Sequence, residues 1–396
     1  MSLQQTPSAN RLHIGLFGKR NSGKSSLVNA LTGQNIALVS DVAGTTTDPV
    51  QKAMEIHGLG PCLFIDTAGF DDEGNLGRLR VEKTRQALEK TDLALLVFTD
   101  EGDEMETGWY RQICAKNIPV VAVLNQVDKL TDPTTTAQRL QEKLEQPVVP
   151  VSAATGRGVD KLLAALVRAV PEGFGQESIT ASLVSPSDIV LLVMPQDIQA
   201  PKGRLILPQV QTIRDLLDRR CVVVCATTDR LDEALAGLKE PPKLIITDSQ
   251  VFAQVYEKKP PQSLLTSFSV LFAKFKGDIN AFVQGAAAID QLTADSRVLI
   301  AEACTHAPLQ EDIGRVKIPR LLRKRVGESL QVDIVSGTDF PADLSGYQLV
   351  IHCGACMFNR KYVLSRIEQA QKQGVPITNY GVAIAKLSGI LDKVSY

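Results

Sequence analysis

GKRNSGKS (residues 18–25) decides the reading of this chain's first third. An apolar run at 12–17 leads into it, and SLVNALTG, a helix-like stretch, follows. Gly18 and Gly23 at that spacing, with Lys24 and Ser25 behind them, match a phosphate-cradling loop between a strand and a helix. Backbone N–H groups from Gly18 through Lys24 would wrap a β-phosphate. Lys24 would neutralise β- and γ-oxygens, and the Ser25 hydroxyl would ligand Mg²⁺. Asn21, Ser22 and Ser26 complete the expected nucleotide contacts. The competing reading is a Gly-rich turn that arose by chance. The strand before the loop and the helix after it count against that.

Four more pieces follow in order. AGTTTD carries Thr45, Thr46 and Thr47, whose hydroxyls can reach Mg²⁺ when a γ-phosphate is present, and Thr46 is the expected ligand. DTAG (66–69) sits after an apolar strand, where Asp66 reaches the metal's outer shell and the Gly69 N–H touches the γ-phosphate. NQVD (125–128) supplies Asn125 and Asp128. Asp128 is a bidentate acceptor for the N1–H and N2–H₂ of guanine, a donor pair that adenine lacks. SAATG (152–156) would close over the base through Ser152, with the Ala153 N–H on guanine O6. Each piece alone is weak. In series they resemble the GTP-binding domains of the translation-factor-related GTPases. That resemblance implies a Ras-like P-loop GTPase fold, GTP and Mg²⁺ as ligands, and Lys24, Thr46 and Gly69 as the hydrolytic machinery.

Three positions refine this. Asn21 stands where the tRNA-modification GTPase branch helps to hold a monovalent cation, so the resemblance implies K⁺-stimulated hydrolysis; a turn-capping Asn21 is the plainer alternative. Phe70 follows DTAG where classical small GTPases place the Gln that orients the attacking water. A Phe cannot do this, so slow hydrolysis is expected without an activating ion, partner or dimer contact. Asp71, Asp72 and Glu73 could assist, or could simply be solvated. Gln126 replaces the usual Lys of Asn-Lys-x-Asp. It is shorter and uncharged, which predicts weaker nucleotide binding with guanine selectivity retained through Asp128.

The chain has 396 residues, 44% hydrophobic and 22% charged, with a formal net charge of -1. That length suggests two or three domains. The charge balance gives no general argument for nucleic acid or an anionic membrane as partner. The sequence has no apolar stretch of about 18 residues or more, so no spanning helix is expected. Its first residues, MSLQQTPSANR, do not read as a secretory signal. Seven cysteines are an odd, sparse set that reads as reduced cytoplasmic thiols with a metal site, not a disulfide framework.

Short apolar strands alternate with amphipathic helical stretches throughout, the pattern of parallel α/β sheets. Strands are expected at 12–17, 62–65, 93–98, 120–124 and 148–151, then a helix at 159–170. PEGFGQES closes a first domain, 1–174. A second, 175–262, has strands at 189–194, 221–226 and 244–247 and no evident chemistry; it reads as a scaffold or association domain ending at KKPPQS. A third, 263–396, has strands at 297–303, 331–335, 348–351 and 375–379. The fold class is therefore α/β: a P-loop domain followed by two smaller α/β domains with mostly parallel sheets.

The third part gathers the unusual residues. AEACTHAP carries Cys304 and His306, and LVIHCGACMF carries His352, Cys353 and Cys356. Both groups sit where an apolar strand ends. In a parallel sheet those ends share one edge, so the three cysteines can meet. Three readings stay open on the residues alone: a thioredoxin-like dithiol, a closed structural zinc site, or an iron–sulfur cluster on three thiolates. Cys62, Cys114, Cys221 and Cys225 lie in apolar or helical contexts, and core packing is expected for them. RLLRKR (320–325) reads as a solvated helix face or a docking site for an acidic partner or anionic cluster.

A phosphate-loop GTPase domain, a middle domain and the Cys-x-His … His-Cys-x-x-Cys pattern together resemble the FeFe-hydrogenase maturation GTPases over the whole chain. The resemblance implies a 4Fe-4S cluster on Cys304, Cys353 and Cys356 with an exchangeable fourth position. His306 and His352 would be a fourth ligand or hydrogen-bond donors behind the ligands. It further implies a GTP-hydrolysing scaffold that transiently binds a di-iron subcluster precursor and transfers it to apo FeFe-hydrogenase. The radical-SAM maturases HydE and HydG would act upstream, the middle domain would form a homodimer, and the location would be cytoplasmic, with no nucleic-acid or membrane partner. The alternatives are a regulatory GTPase with a zinc-stapled binding domain, or a dithiol redox protein using CGAC.

Overall fold

A computed structural model describes residues 6–32, 50–71, 74–175, 177–195, 205–303, 312–337, 339–355 and 357–396. The chain divides into two compact units, Met1–Gly175 and Gln176–Tyr396. None of the described helices is long and apolar enough to cross a membrane.

The first unit is a six-stranded sheet of β1 (Leu12–Gly18), β2 (Val50–Ile56), β3 (Gly60–Asp66), β4 (Leu93–Phe98), β5 (Val120–Leu124) and β6 (Val148–Pro150) in the order β2-β3-β1-β4-β5-β6. All pairs are parallel except β2 with β3. Helices α1 (Lys24–Thr32), α2 (Gly74–Leu88), α3 (Glu104–Ala115), α4 (Pro133–Leu144) and α5 (Val159–Ala169) accompany it. Strands β1 and β4 are buried along their whole length. Because side chains alternate across a strand, Leu12, Ile14, Leu16, Leu93, Leu95 and Val97 fill one core. Phe17, Ala94, Leu96 and Phe98 fill another. This is the P-loop GTPase fold expected.

The second unit holds two all-parallel sheets. One joins β7 (Ile189–Val193), β8 (Val222–Ala226), β9 (Leu244–Thr247) and β10 (Leu264–Ser267) in the order β10-β9-β7-β8. The other joins β11 (Arg297–Glu302), β12 (Gln331–Ser336), β13 (Leu349–His352) and β14 (Ile377–Asn379) in the order β12-β11-β13-β14. Residues of both sheets, from Leu191 and Ile245 to Ile300 and Ile351, share one continuous core. Strand β10 lies beyond residue 262 and completes the first of these sheets, so that sheet runs past the boundary read from KKPPQS. Helices α6 (Leu207–Asp218), α7 (Leu231–Ala236), α8 (Phe252–Lys258), α9 (Phe268–Lys276), α10 (Ile279–Ala286), α11 (Ile318–Val326), α12 (Arg360–Lys372) and α13 (Tyr380–Leu387) surround the sheets.

Core packing holds for Cys62 and Cys221, which are buried, but not for Cys114 and Cys225, which are exposed. Cys225 lies on the edge strand β8, and Cys114 on the outer face of α3.

Candidate functional site

The phosphate loop is built by tight backbone contacts. Gly23 has φ of +85°, and a Cβ there would stand 2.4 Å from Asn125 Nδ2. Only glycine fits. Lys24 is buried with its ammonium curled under the loop, donating to the Gly18 carbonyl at 2.9 Å and the Lys19 carbonyl at 2.8 Å. The Ser22 hydroxyl is buried and has no hydrogen-bond partner among the described residues. Asn21, in a left-handed conformation, and Ser26 are exposed.

DTAG closes on this loop. The Ser25 hydroxyl donates to Asp66 Oδ2 at 2.6 Å. Burial pushes the Asp66 carboxyl above its ordinary value, opposed by that hydrogen bond and by the Lys24 charge. A Cβ on Gly69 would stand 2.5 Å from the Arg20 nitrogen. Asp71 Oδ1 accepts the Arg20 N–H at 2.7 Å, so an anionic oxygen already sits on a phosphate-loop amide. With the buried Ser22 hydroxyl, this fits a loop that takes phosphate oxygens. Phe70 turns away, buried and stacked on Trp109 at 4.9 Å.

Asn125 clips three motifs together. Its Nδ2 donates to the Ser22 carbonyl at 2.9 Å, and its Oδ1 accepts the Ala153 N–H at 3.2 Å. Gln126 still reaches the loop, donating to the Asn21 carbonyl at 2.8 Å while its Oε1 accepts from Lys129 at 3.0 Å. Asp128 is exposed, and its hydrogen bond from the Ser152 hydroxyl holds its carboxyl below the ordinary value. Sequence reasoning missed Lys19. Its ammonium pairs with Asp103 at 2.9 Å and Glu106 at 3.0 Å, tying the phosphate loop to the capping box of α3. A lysine inside a phosphate loop reads as a solvated variable position, and its partners lie far along the chain. Thr45, Thr46, Thr47, Asp72 and Glu73 lie outside the described residues.

The second candidate site is in the last sheet. Strand order reverses between β11 and β13, and in open parallel sheets the crevice beyond the strand ends at such a point is where ligands bind. Cys353 follows β13 directly. Its N–H donates to the Ala301 carbonyl at 2.9 Å, and its Sγ accepts the N–H of Ala303, the residue before Cys304, at 2.9 Å. Ala355 is buried in a left-handed conformation, φ +51°, and its N–H donates to the same sulfur at 3.4 Å. A sulfur accepting two amide hydrogens suits a thiolate ligand. Cys304, His306 and Cys356 lie outside the described residues, and no group of three metal-ligating side chains occurs among those described.

His352 is fully buried behind this loop. Its Nε2 is 2.9 Å from Arg366 Nη1 and its Nδ1 is 2.8 Å from the Cys353 carbonyl. Arginine only donates, so Nε2 accepts and Nδ1 carries the proton given to Cys353. Burial first, and then the Arg366 charge, push the imidazole down to about 3. Both ring nitrogens are thus engaged. Sequence reasoning also missed Arg366, which sits mid-helix in α12 with no motif around it.

A P-loop GTPase domain bearing two further parallel α/β sheets is the class defined by these features. Family models match in three consecutive pieces: a 50S ribosome-binding GTPase over residues 13–126, the hydrogen maturase F dimerization domain over 179–277, and the hydrogen maturase F tetramerization domain over 280–395. The chain belongs to the hydrogen maturase F family, with a GTPase domain at its N-terminal end. Similar curated proteins include the tRNA modification GTPase MnmE of Chromobacterium violaceum, 39% identical over 42% of this chain and 37% of that protein. The GTPase Der of Wolinella succinogenes is 37% identical over 46% of this chain and 40% of that protein. The chain thus spans about two fifths of the length of the curated relatives it matches. Among solved structures, Aquifex aeolicus Era bound to GDP.AlF4- is 22% identical, covering 57% of this chain and 97% of that one, with a TM-score of 0.36.

Proposed function

We propose that this protein is a hydrogenase-maturation GTPase whose N-terminal domain binds and hydrolyses GTP and whose last sheet carries an iron–sulfur centre. The observation that carries this is the Cys353 sulfur on the Ala303 N–H, one residue from Cys304, at the strand-order reversal of a chain that also holds a complete phosphate loop.

In the first domain, the amides of Gly18 through Lys24 take the phosphate oxygens. Lys24 swings from the Gly18 and Lys19 carbonyls to the β- and γ-phosphates. Ser25 and Thr46 would hold Mg²⁺, with Asp66 behind Ser25. Asp128 reads the guanine donors, and Ser152 and Ala153 close over the base. Phe70 leaves the attacking water without a side chain to orient it. A K⁺ at Asn21 is the reading for how hydrolysis is stimulated from a slow basal rate.

In the last domain, Cys304, Cys353 and Cys356 would anchor a 4Fe-4S cluster. Such a cluster on three thiolates supplies an iron whose remaining position accepts and releases a ligand of the di-iron subcluster precursor. His352 supports Cys353 from behind the loop, leaving His306 as the candidate for the fourth position. The precursor would arrive from HydE- and HydG-type maturases and leave to apo FeFe-hydrogenase. The domains at 179–277 and 280–395 would associate copies of the chain. GTP hydrolysis would reset partner contacts through Thr46 and Gly69.

The test is metal analysis and EPR on anaerobically purified, iron-reconstituted, dithionite-reduced protein beside Cys304→Ala and Cys353→Ala. About four irons per chain, with a reduced-cluster signal lost in both variants, is expected. Stoichiometric zinc without an iron signal would overturn the cluster. A separate arm, Lys24→Ala, should abolish GTP hydrolysis and hydrogenase activation while keeping the cluster. Unchanged activation there would remove GTP from the mechanism.

A further inference from the structure

Arg366 is the largest fully buried side chain among the described residues. No described carboxylate pairs with it. Its Nη2 donates to the Gly337 carbonyl at 2.6 Å and to the Tyr362 hydroxyl at 3.1 Å, its Nη1 to His352 at 2.9 Å, and its Nε finds no partner among those residues. The faces of Phe340, Phe358 and Tyr362 enclose it at 4.7, 5.0 and 4.6 Å. Burying a guanidinium away from an anion is expensive, and three aromatic faces and neutral acceptors offset only part of it. The chain has built a dry positive charge and kept it.

Its placement says what for. Gly337 follows β12 and His352 ends β13, so Arg366 sits under the strand-end edge where Cys353 emerges. The hydrogen-bond chain is directional: Arg366 donates to His352, and His352 donates to the Cys353 carbonyl. A fixed charge at one end polarises every bond toward the other. Phe358, one wall of the enclosure, lies five residues past Cys353, so the segment that follows β13 both presents Cys353 and covers the arginine.

We propose that Arg366 is the fixed countercharge of the metal centre on the Cys353 loop, acting through His352 to raise its reduction potential. This rests on the iron–sulfur reading of Cys304, Cys353 and Cys356. Three thiolates give such a centre net negative charge, and reduction adds more. A permanent cation nearby favours the reduced state, and cluster potentials follow local charge and hydrogen bonding. Arg366 is a positioning residue, since it acts through His352 and touches no ligand sulfur.

The experiment is an EPR-monitored redox titration of the full-length, anaerobically reconstituted protein and of Arg366→Gln, Arg366→Lys and His352→Leu. In R366Q the reduced-to-oxidised ratio at a fixed potential should fall about tenfold, a downward shift of about 59 mV for one electron. R366K keeps the charge and should titrate near the unaltered protein, and H352L should shift downward by less than R366Q. An unshifted R366Q, or equal shifts in R366Q and R366K, would overturn the role. If R366Q does not fold, H352L decides, because leucine can neither accept from Arg366 nor donate to Cys353 and so cuts the relay with the arginine in place: a downward shift supports the inference and none sinks it. Absence of a cluster signal in the unaltered protein is a different failure, that of the iron–sulfur reading itself.

Discussion

The sulfur of Cys353 and the amide of Ala303 are 2.9 Å apart, although fifty residues separate them in sequence. This contact joins the ends of β11 and β13, and it puts the CGAC loop beside the start of ACTH. Cys353→Ala removes the acceptor of two amide hydrogens as well as a proposed ligand. Iron retention should collapse in C353A while GTP hydrolysis, carried by the other unit, persists. Cys114→Ala and Cys225→Ala should each keep full iron and lose one thiol that reacts with Ellman's reagent in the folded protein, Cys225 the more slowly because burial pushes its thiol up. Iron assays and thiol counts check both statements, and iron loss in C225A would move the site elsewhere.

Asn125 is the keystone of the nucleotide site. Asn125→Ala would leave the Ser22 carbonyl and the Ala153 N–H without their partner. The Ser22 contact is buried, and orphaning it costs about 1–3 kcal/mol. GTP affinity should drop by about tenfold to a hundredfold, since 1.4 kcal/mol is a factor of ten. Gly23→Ala should do comparable damage from the other side, because its Cβ would collide with Asn125 Nδ2. Titration with a fluorescent GTP analogue reads both. Unaltered binding by N125A would mean that the loop holds its shape alone.

Phe70 packs on Trp109, the only tryptophan in the sequence. Installing the water-orienting residue of small GTPases by Phe70→Gln should therefore fail. The side chain faces the core, where replacing a buried aromatic costs about 3–5 kcal/mol. The expected result is lower thermal stability, changed tryptophan emission and no faster single-turnover hydrolysis. Acceleration would show that the segment after DTAG can turn toward the γ-phosphate.

Much of this was legible in the sequence, for reasons that differ by element. Buried parallel strands such as LALLVF at β4 are continuous apolar runs, and motif spacing located both candidate sites. Strand β2 was not foreseen because it is an edge strand with Gln51, Ala53 and Glu55 on its exposed side, so no apolar run marks it. Strand β10 was hidden behind KKPPQS, a loop inside a strand–helix–strand unit that reads like a linker. Arg366 and Lys19 matter through partners far away in sequence, and nothing local distinguishes them from surface cations.

Asp66 links stability to function with a definite sign. Burial raises its carboxyl above the ordinary 3.8, so the folded state holds that proton more tightly than the unfolded state does. Stability then falls as pH rises from about 3.8 through the raised value, and the cost is constant above it. Asp66→Asn cannot ionise and keeps an acceptor for Ser25. Without nucleotide and Mg²⁺, D66N should melt above the unaltered protein at pH 7, each 1 kcal/mol being worth about 2–4 °C in a unit of this size. The gap should narrow on acidification and close toward pH 3.8. With Mg²⁺ and GTP the order should invert, because the ligand stabilises only a site that retains the carboxylate, by about 2.7 kcal/mol at a hundred times Kd. Thermal melts across pH, with and without Mg²⁺ and GTP, measure both halves. A D66N that melts lower at pH 7, or a gap that widens in acid, would show that the Ser25 and Lys24 contacts outweigh burial.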